Sequence, residues 1–390
     1  MTDLQVLFLV LAVLYLWECA CWISRGSVAF RTWFGRHFQI AQPGRLLGNQ
    51  RGGLVFAHAL PPFGVIFTAR QSPLSFSSEG VVAFIAPSVN PGSRPEQTQN
   101  FCRFDEIKTV STDTRKLVIN GQVFLRGASP GLTRYLAEQL DQLRSVPLAK
   151  RAKASQSFMQ QAWDIDAITE RRDRFLTQTR RLRILANGLF VYLFVLAPIV
   201  TWKFSLVHTW ASLIAGLFAF TTFIAVSFRR VHKQLFPAAE DERFTEFLIL
   251  LLSPVTAIRA LDYLSRPLLE VFHPLAVAKV LCSAESFRSL ATLFLRELHF
   301  PALPLCTRSE SAARQAEEQT RSLLKAEAEA LVKKAGLSPA ELLLPPPRSE
   351  STCRSYCPRC LAQFNTDSGV CQDCGGLPLV TFPVSCPKSL

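Results

Sequence analysis

Apolar positions along this chain gather into three long blocks and many short ones. Residues 4–23 are apolar with Glu18 as the single charge after Leu4. Residues 184–202 form a 19-residue block, and residues 204–228 a 25-residue block, neither carrying a charge. At about 1.5 Å per residue, roughly 20 helical residues cover the hydrocarbon core of a bilayer, about 30 Å thick. The pattern predicts transmembrane helices at 4–23, 184–202 and 204–228. Only Lys203 separates the last two, which read as a tight hairpin. Trp202 and Trp210 suit an interfacial aromatic belt, and His208 and Asn187, near the span ends, read as interface residues with a proton relay as the alternative. Pro198 is a place for a kink. The first block starts Met1-Thr2-Asp3, without a basic stretch, and "LWECACW" offers no small-x-small cleavage site. It reads as an uncleaved anchor.

Between the first and second blocks the period shortens. "LVFAH", "VIFTA", "LSFS", "VVAFI", "FDEIKTV", "KLVI" and "QVFL" are short runs rich in β-branched and aromatic residues, with Gly, Pro, Ser or Asn between them. Asn120-Gly121 predicts a two-residue hairpin turn. "SPGLTRYLAEQLDQL" then reads as a helix capped by Ser129, with Pro130 first and Leu132, Leu136, Leu140 and Leu143 on one face. Residues 45–146 thus predict seven strands closed by a helix. This order resembles the pleckstrin-homology-like barrel, a module common in bacterial membrane proteins, which implies a bacterial cytoplasmic membrane. The family's lipid-headgroup site does not carry over, because the first hairpin loop, "ALPPFG" (59–64), has no basic residue.

"GASPG" (127–131) matches a hydrolase nucleophile motif. The residue after Ser129 is Pro130, which has no N–H for an oxyanion hole, so Ser129 reads as a helix cap. Residues 156–183 read as one amphipathic helix running into the second span. Residues 237–300 read as a helical, membrane-associated region. Within it, the uncharged run 247–258 reads as a buried or membrane-lying helix, with a tilted or re-entrant span as the alternative. His273 and His299 stand alone and read as core or surface residues. Cys282 and Cys306 read as small buried hydrophobes. Residues 307–335 form a surface helix, with Thr307 and Glu310 as a capping box, Gly336 as its stop and only Leu323, Leu324 and Leu331 as apolar contacts. Residues 342–351 form a stiff proline-rich linker, expected to insulate the C-terminal segment from the rest of the chain.

Charge sets the orientation. The chain of 390 residues carries a net charge of +13 with only 19% charged residues, fewer than a soluble domain. Six Arg and no acid lie between residues 24 and 78; "RRDRFLTQTRRLR" (171–183) precedes the second block and "RRVHK" (229–233) comes directly after the third. Basic residues collect on the cytoplasmic side of spans. All three clusters put the N-terminus outside and the main domains and C-terminus in the cytoplasm. The excess charge is therefore topology and no argument for nucleic acid. Residues 351–390 have three basic and two acidic side chains, which is no phosphate-binding footprint.

The last element carries the chemistry. Cys357-Pro-Arg-Cys360 and Cys371-Gln-Asp-Cys374 stand ten residues apart. Four thiolates so spaced suit a tetrahedral Zn²⁺ with no open position. Rubredoxin-like iron and a redox dithiol are the alternatives. Cys353 and Cys386 lie outside the paired spacing. A segment this small needs metal to fold, and reduced thiols suit the cytoplasm. Residues 354–384 resemble the zinc-ribbon family, which implies structural Zn²⁺ on Cys357, Cys360, Cys371 and Cys374.

The expected fold is an α+β multi-pass membrane protein: three spans, a cytoplasmic seven-stranded barrel-like domain with a C-terminal helix, a helical cytoplasmic region and a zinc ribbon. No zincin helix, phosphate-binding glycine loop or catalytic nucleophile is present. The function expected is that of a non-enzymatic membrane scaffold or regulator, with the bilayer and other proteins as partners. A membrane-embedded enzyme without a recognisable motif and an accessory transporter subunit are the alternatives.

Overall fold

The computed structural model describes residues 3–23, 27–31, 37–40, 54–57, 65–84, 99–204, 206–237, 243–300 and 311–382. Along the chain come α1 (Asp3–Ile23), β1 (Ser27–Arg31), β2 (His37–Ile40), β3 (Leu54–Ala57), β4 (Ile66–Ala69), β5 (Leu74–Phe76), β6 (Gly80–Phe84), β7 (Gln99–Arg103), β8 (Val110–Asp113), β9 (Lys116–Ile119) and β10 (Gln122–Arg126). The helices after them are α2 (Pro130–Ser145), α3 (Leu148–Gln161), α4 (Ile165–Gln178), α5 (Arg180–Val191), α6 (Ala197–Phe204), α7 (Leu206–Leu235), α8 (Arg243–Leu252), α9 (Pro254–Ile258), α10 (Ala260–Leu268), α11 (Pro274–Leu281), α12 (Ala284–His299), α13 (Ser311–Lys334) and α14 (Pro339–Leu342). Five short strands end the chain: β11 (Ser355–Tyr356), β12 (Gln363–Phe364), β13 (Val370–Cys371), β14 (Leu377–Pro378) and β15 (Val380–Thr381). The protein is mixed α+β and mostly helical. It divides into two compact units, one of residues 1–39, 52–69 and 165–271, the other of residues 40–51, 70–164 and 272–390.

In the first unit, two helices are long and apolar enough to cross a membrane, Arg180–Phe204 and His208–Leu235. Three were expected. α1 is helical over the expected run, but its side chains beyond Leu16 lie outside the described residues, and it is not among the two. Tyr15 of α1 meets the rings of Phe190 and Phe194, at 5.8 and 5.5 Å. The kink expected at Pro198 takes the form of a wide turn over Tyr192–Leu196, where the Ala197 N–H bonds to the Tyr192 carbonyl. Proline clashes with the carbonyl four residues back in a regular helix, and widening the turn relieves this. Across the hairpin, the Tyr192 hydroxyl donates to the Leu213 carbonyl at 2.7 Å. Its ring fills the notch at Gly216, where an added Cβ would lie 2.5 Å from that hydroxyl. Close approach and this hydrogen bond fix the register of the two helices.

The apolar run 247–258 breaks at Ser253, whose extended backbone and hydroxyl cap α9 by accepting from the Thr256 N–H. The ten residues of α8 cover about 15 Å, half a crossing, so this run is not a span. α9 is buried among α1, α5, α7 and α8. Beyond it, Arg259 and Asp262 form a buried ion pair at 2.7 Å.

The expected seven-stranded barrel does not form among the described residues. Its strands are shared among three open sheets, ordered β2-β1-β3-β4, β5-β6-β7 and β10-β9-β8. The first sheet belongs to the first unit. There β3 pairs in parallel with β1, outside the expected domain, and the Ser265 hydroxyl of α10 donates to the Ile66 carbonyl of β4. The other two sheets belong to the second unit. Period-2 alternation identifies strands without naming their partners, and β1, β2 and β7 escaped it. "FDEIKTV" holds a turn before β8. The Asn120-Gly121 turn has φ of 51° and 79°, as its hairpin requires. Ser129 caps α2, accepting from the Leu132 N–H at 3.1 Å.

The single helix expected over 156–183 falls on three, α3, α4 and the start of α5, with breaks at residues 162–164 and at Thr179. The first break has a tertiary cause in the second unit: the Ala162 carbonyl accepts from the His273 N–H at 2.8 Å, and Trp163 stacks on the His273 ring at 3.8 Å. α13 lies on the sheet β5-β6-β7 through Ala313, Ala316 and Thr320. Gly336 ends it with φ of 77°, while the capping box Thr307 and Glu310 lies outside the described residues.

The buried His273 makes stability depend on pH. Its Nδ1 accepts from the Leu275 N–H, capping α11, and burial lowers its pKa to about 3. The unfolded chain binds a proton near pH 6.5 that the folded chain refuses. Stability is therefore complete above pH 6.5 and falls as pH drops toward 3. Between pH 7 and 5 the loss expected is about 2 kcal/mol. Hydrogen exchange in α11 and α12 across that range checks it; pH-independent protection defeats it.

Candidate metal centre

The knuckles are built by backbone turns that bring each cysteine pair together. After Cys360, Leu361 takes φ of 64°; after Cys374, Gly375 takes 73°. The two turns close differently, the first by a bond to the carbonyl four residues back and the second by one to the carbonyl five residues back. The Leu361 N–H bonds to the Cys357 carbonyl, and the Gly376 N–H to the Cys371 carbonyl, both at 2.9 Å. The second knuckle puts glycine where positive φ is needed, while the first strains a leucine. Leu361 packs toward Cys353, Tyr356 and Phe382, a contact that offsets the strain.

The turns place four Sγ atoms within 4.8 Å of one another, three of the cysteines buried. Cys360 Sγ and Cys371 Sγ are 3.7 Å apart. Zn–S bonds of about 2.3 Å at tetrahedral angles put sulfurs about 3.8 Å apart, so the spacing fits a four-thiolate site. All seven described cysteines outside the first helix are free thiols, the four of the cluster included. Burial pushes Cys360 up to about 11 and Cys374 higher still. Burial acts on Cys357 too, but N–H groups of Cys360 and Arg359, with the neighbouring thiols, outweigh it and hold Cys357 below its ordinary value.

The four cysteines that the spacing singled out are brought together, and Cys353 is not. It is buried among Tyr356 and Phe382. Cys386 lies outside the described residues. Cys282, read as a buried hydrophobe, is a thiol pushed up to about 12 by burial. His299 faces Glu329 at 3.0 Å, away from this site.

Two residues that sequence reasoning missed hold the ribbon in place. Glu297 of α12 accepts from Arg359 at 2.6 Å, and both side chains are buried. Its neighbour Arg296 donates to the Pro358 carbonyl at 2.9 Å and to the Leu344 carbonyl. Phe300 packs on the cysteine cluster. The proline-rich segment is therefore no insulating linker, because Arg296 binds one of its carbonyls. The signal in the sequence was a charged pair inside the apolar "LFLRELHF", where solvent-facing charges do not belong on both flanks of a buried stripe.

Comparison of the chain with known protein families, with characterised proteins and with solved structures finds no match.

Removing one member of a buried ion pair strands the other and costs about 3–5 kcal/mol, whereas replacing both costs less. Glu297→Leu or Arg359→Met alone should expose 343–351 to protease, and the double variant should restore protection; equal cutting in all three would refute the clamp. Metal binding must also displace protons from Cys360 and Cys374, whose thiols are raised above neutrality. Affinity should rise with pH and protons should be released on loading at pH 7, read by titration calorimetry in two buffers of different ionisation enthalpy.

Proposed function

We propose that this protein is a non-enzymatic membrane scaffold whose C-terminal zinc ribbon is a structural element. The observation that carries the reading is the closed donor set: four thiolates at tetrahedral spacing leave no position for substrate or reactive water. Zn²⁺ held by Cys357, Cys360, Cys371 and Cys374 would supply folding free energy to a ribbon of two-residue strands. Among the described residues no nucleophile–base pair accompanies it; Ser129 is spent as a helix cap.

The membrane part of the proposal has three spans. The hairpin of residues 180–204 and 206–235 presents Ile184, Val195, Ile199, Phe218 and Phe223 outward. α1 packs on α6 and the wide turn before it, and exposes Phe8, Val13 and Leu16. These outward apolar side chains suit lipid. The basic clusters put the ribbon and all three sheets of the 24–183 segment on the reducing side, where thiols stay available to metal. Such a ribbon, docked on α12 and nearly neutral, suits protein partners.

Reporter fusions after Phe30, Lys203 and Lys388 should read cytoplasmic, external and cytoplasmic. An external signal at Lys388 overturns the topology. Elemental analysis of the full chain should give one zinc per chain, lost in Cys360→Ser; iron or an exchangeable water ligand would overturn the structural role.

A further inference from the structure

The α7–α8 corner of the first unit combines features that neither helix shows alone. Gly188 faces Phe220 and Tyr192 faces Gly216, which sets the register of the hairpin. Arg180 and Arg181 then lie level with residues 227–228, one turn from Arg229 and Arg230. All four are exposed, as is Lys233. The distance along the helix from Arg181 to Trp202 is about 32 Å, one hydrocarbon thickness. This basic belt therefore marks one membrane surface.

α8 turns back along α7 at that level. His232 and Glu246 approach to 3.9 Å, a contact that puts Leu252 beside Val226 and Phe244 beyond Lys233. α8 thus runs from outside the belt to just below it. Leu250 faces α7, fully buried. Phe244, Leu248 and Leu252 recur at one-turn intervals on the outer side and are exposed, Phe244 at 69% and Leu252 at 71%. Water is a poor neighbour for this stripe, since an exposed Phe and Leu forgo the gain of burial. Val226 and Phe223 continue the apolar surface down α7.

We infer that α8 is an interfacial wedge that binds anionic phospholipid, its outer stripe sunk at the headgroup–acyl boundary and the headgroups held by Arg229, Arg230 and Lys233. This rests on the membrane reading above. The continuity of the stripe with the outward face of α7 names acyl chains as the occupant. The belt beside it names the sign of the headgroup. Because α8 runs along α7, its stripe reaches from headgroup level at Phe244 to the acyl chains at Leu252. Each basic residue at such a surface contributes about a fivefold preference for anionic lipid.

The full chain in vesicles of equal phosphatidylcholine and phosphatidylglycerol, with a photoactivatable acyl-chain probe, tests both parts. Peptides covering 206–228 and 244–252 should both be labelled, and lipid retained on purification should be enriched in phosphatidylglycerol. R229Q/R230Q/K233Q should abolish the enrichment while leaving labelling of 206–228 intact. Labelling of 206–228 without 244–252 overturns the wedge alone. Enrichment unchanged in the triple variant overturns the headgroup site. Absence of label from 206–228 removes the membrane reading and the wedge with it.

Discussion

Glu297 and Arg359, both buried and 2.6 Å apart, set the terms for the second unit. Neither charge is tolerable there alone, because each has lost its water. Pairing them obliges the first knuckle to sit on α12, since Arg359 lies between Cys357 and Cys360. Arg296, one position earlier, must then find acceptors of its own, and takes the carbonyls of Pro358 and Leu344. A segment of two-residue strands thus gathers four cysteines at its centre and is held from outside by two charged side chains that need partners. The cysteine cluster and the docking contact share the residues of one loop.

The first unit obeys a different constraint. Its long helices carry apolar side chains outward, and the hairpin closes on shape and on a hydrogen bond. Tyr192 shows how: one ring in one glycine notch, with its hydroxyl on a backbone carbonyl. Proline is accommodated by widening the helix in one place and by starting a new helix in another. The same residue type therefore gives a wide turn before Pro198 and a capped break before Pro254, depending on whether a serine stands ready to satisfy the freed N–H groups.

Local chemistry was legible wherever one segment contained its own reasons. The apolar length of 184–202 and 204–228, the hairpin at Asn120-Gly121, the cap at Ser129 and the metal spacing of four cysteines are each complete within some twenty residues. Their energies come from neighbours in sequence, or from backbone angles that few residue types permit. Partner choice was not legible. The strands alternate as strands should, yet their pattern holds no record of which edge pairs with which, and a barrel was read where three sheets stand. α13 was read from its leucines as a solvated helix, whereas Ala313, Ala316 and Thr320 bring it against a sheet because they are small. Trp163 lies inside the run read as one long helix; the helix stops there and its ring stacks on His273.

Covalent spacing and the intrinsic preferences of residues were enough to set the lengths of the apolar runs, the sign and place of the basic clusters, the turns and caps, and which four cysteines come together. All of these can be read along the chain. Three outcomes needed the folded arrangement: how the strands divide, where the helix at 162–164 stops, and that Arg296 and Glu297 face the ribbon and not water. They turn on desolvation, which is a property of surroundings: a charged side chain in a helix is a solvent residue or a buried clamp according to what the rest of the chain lays against it.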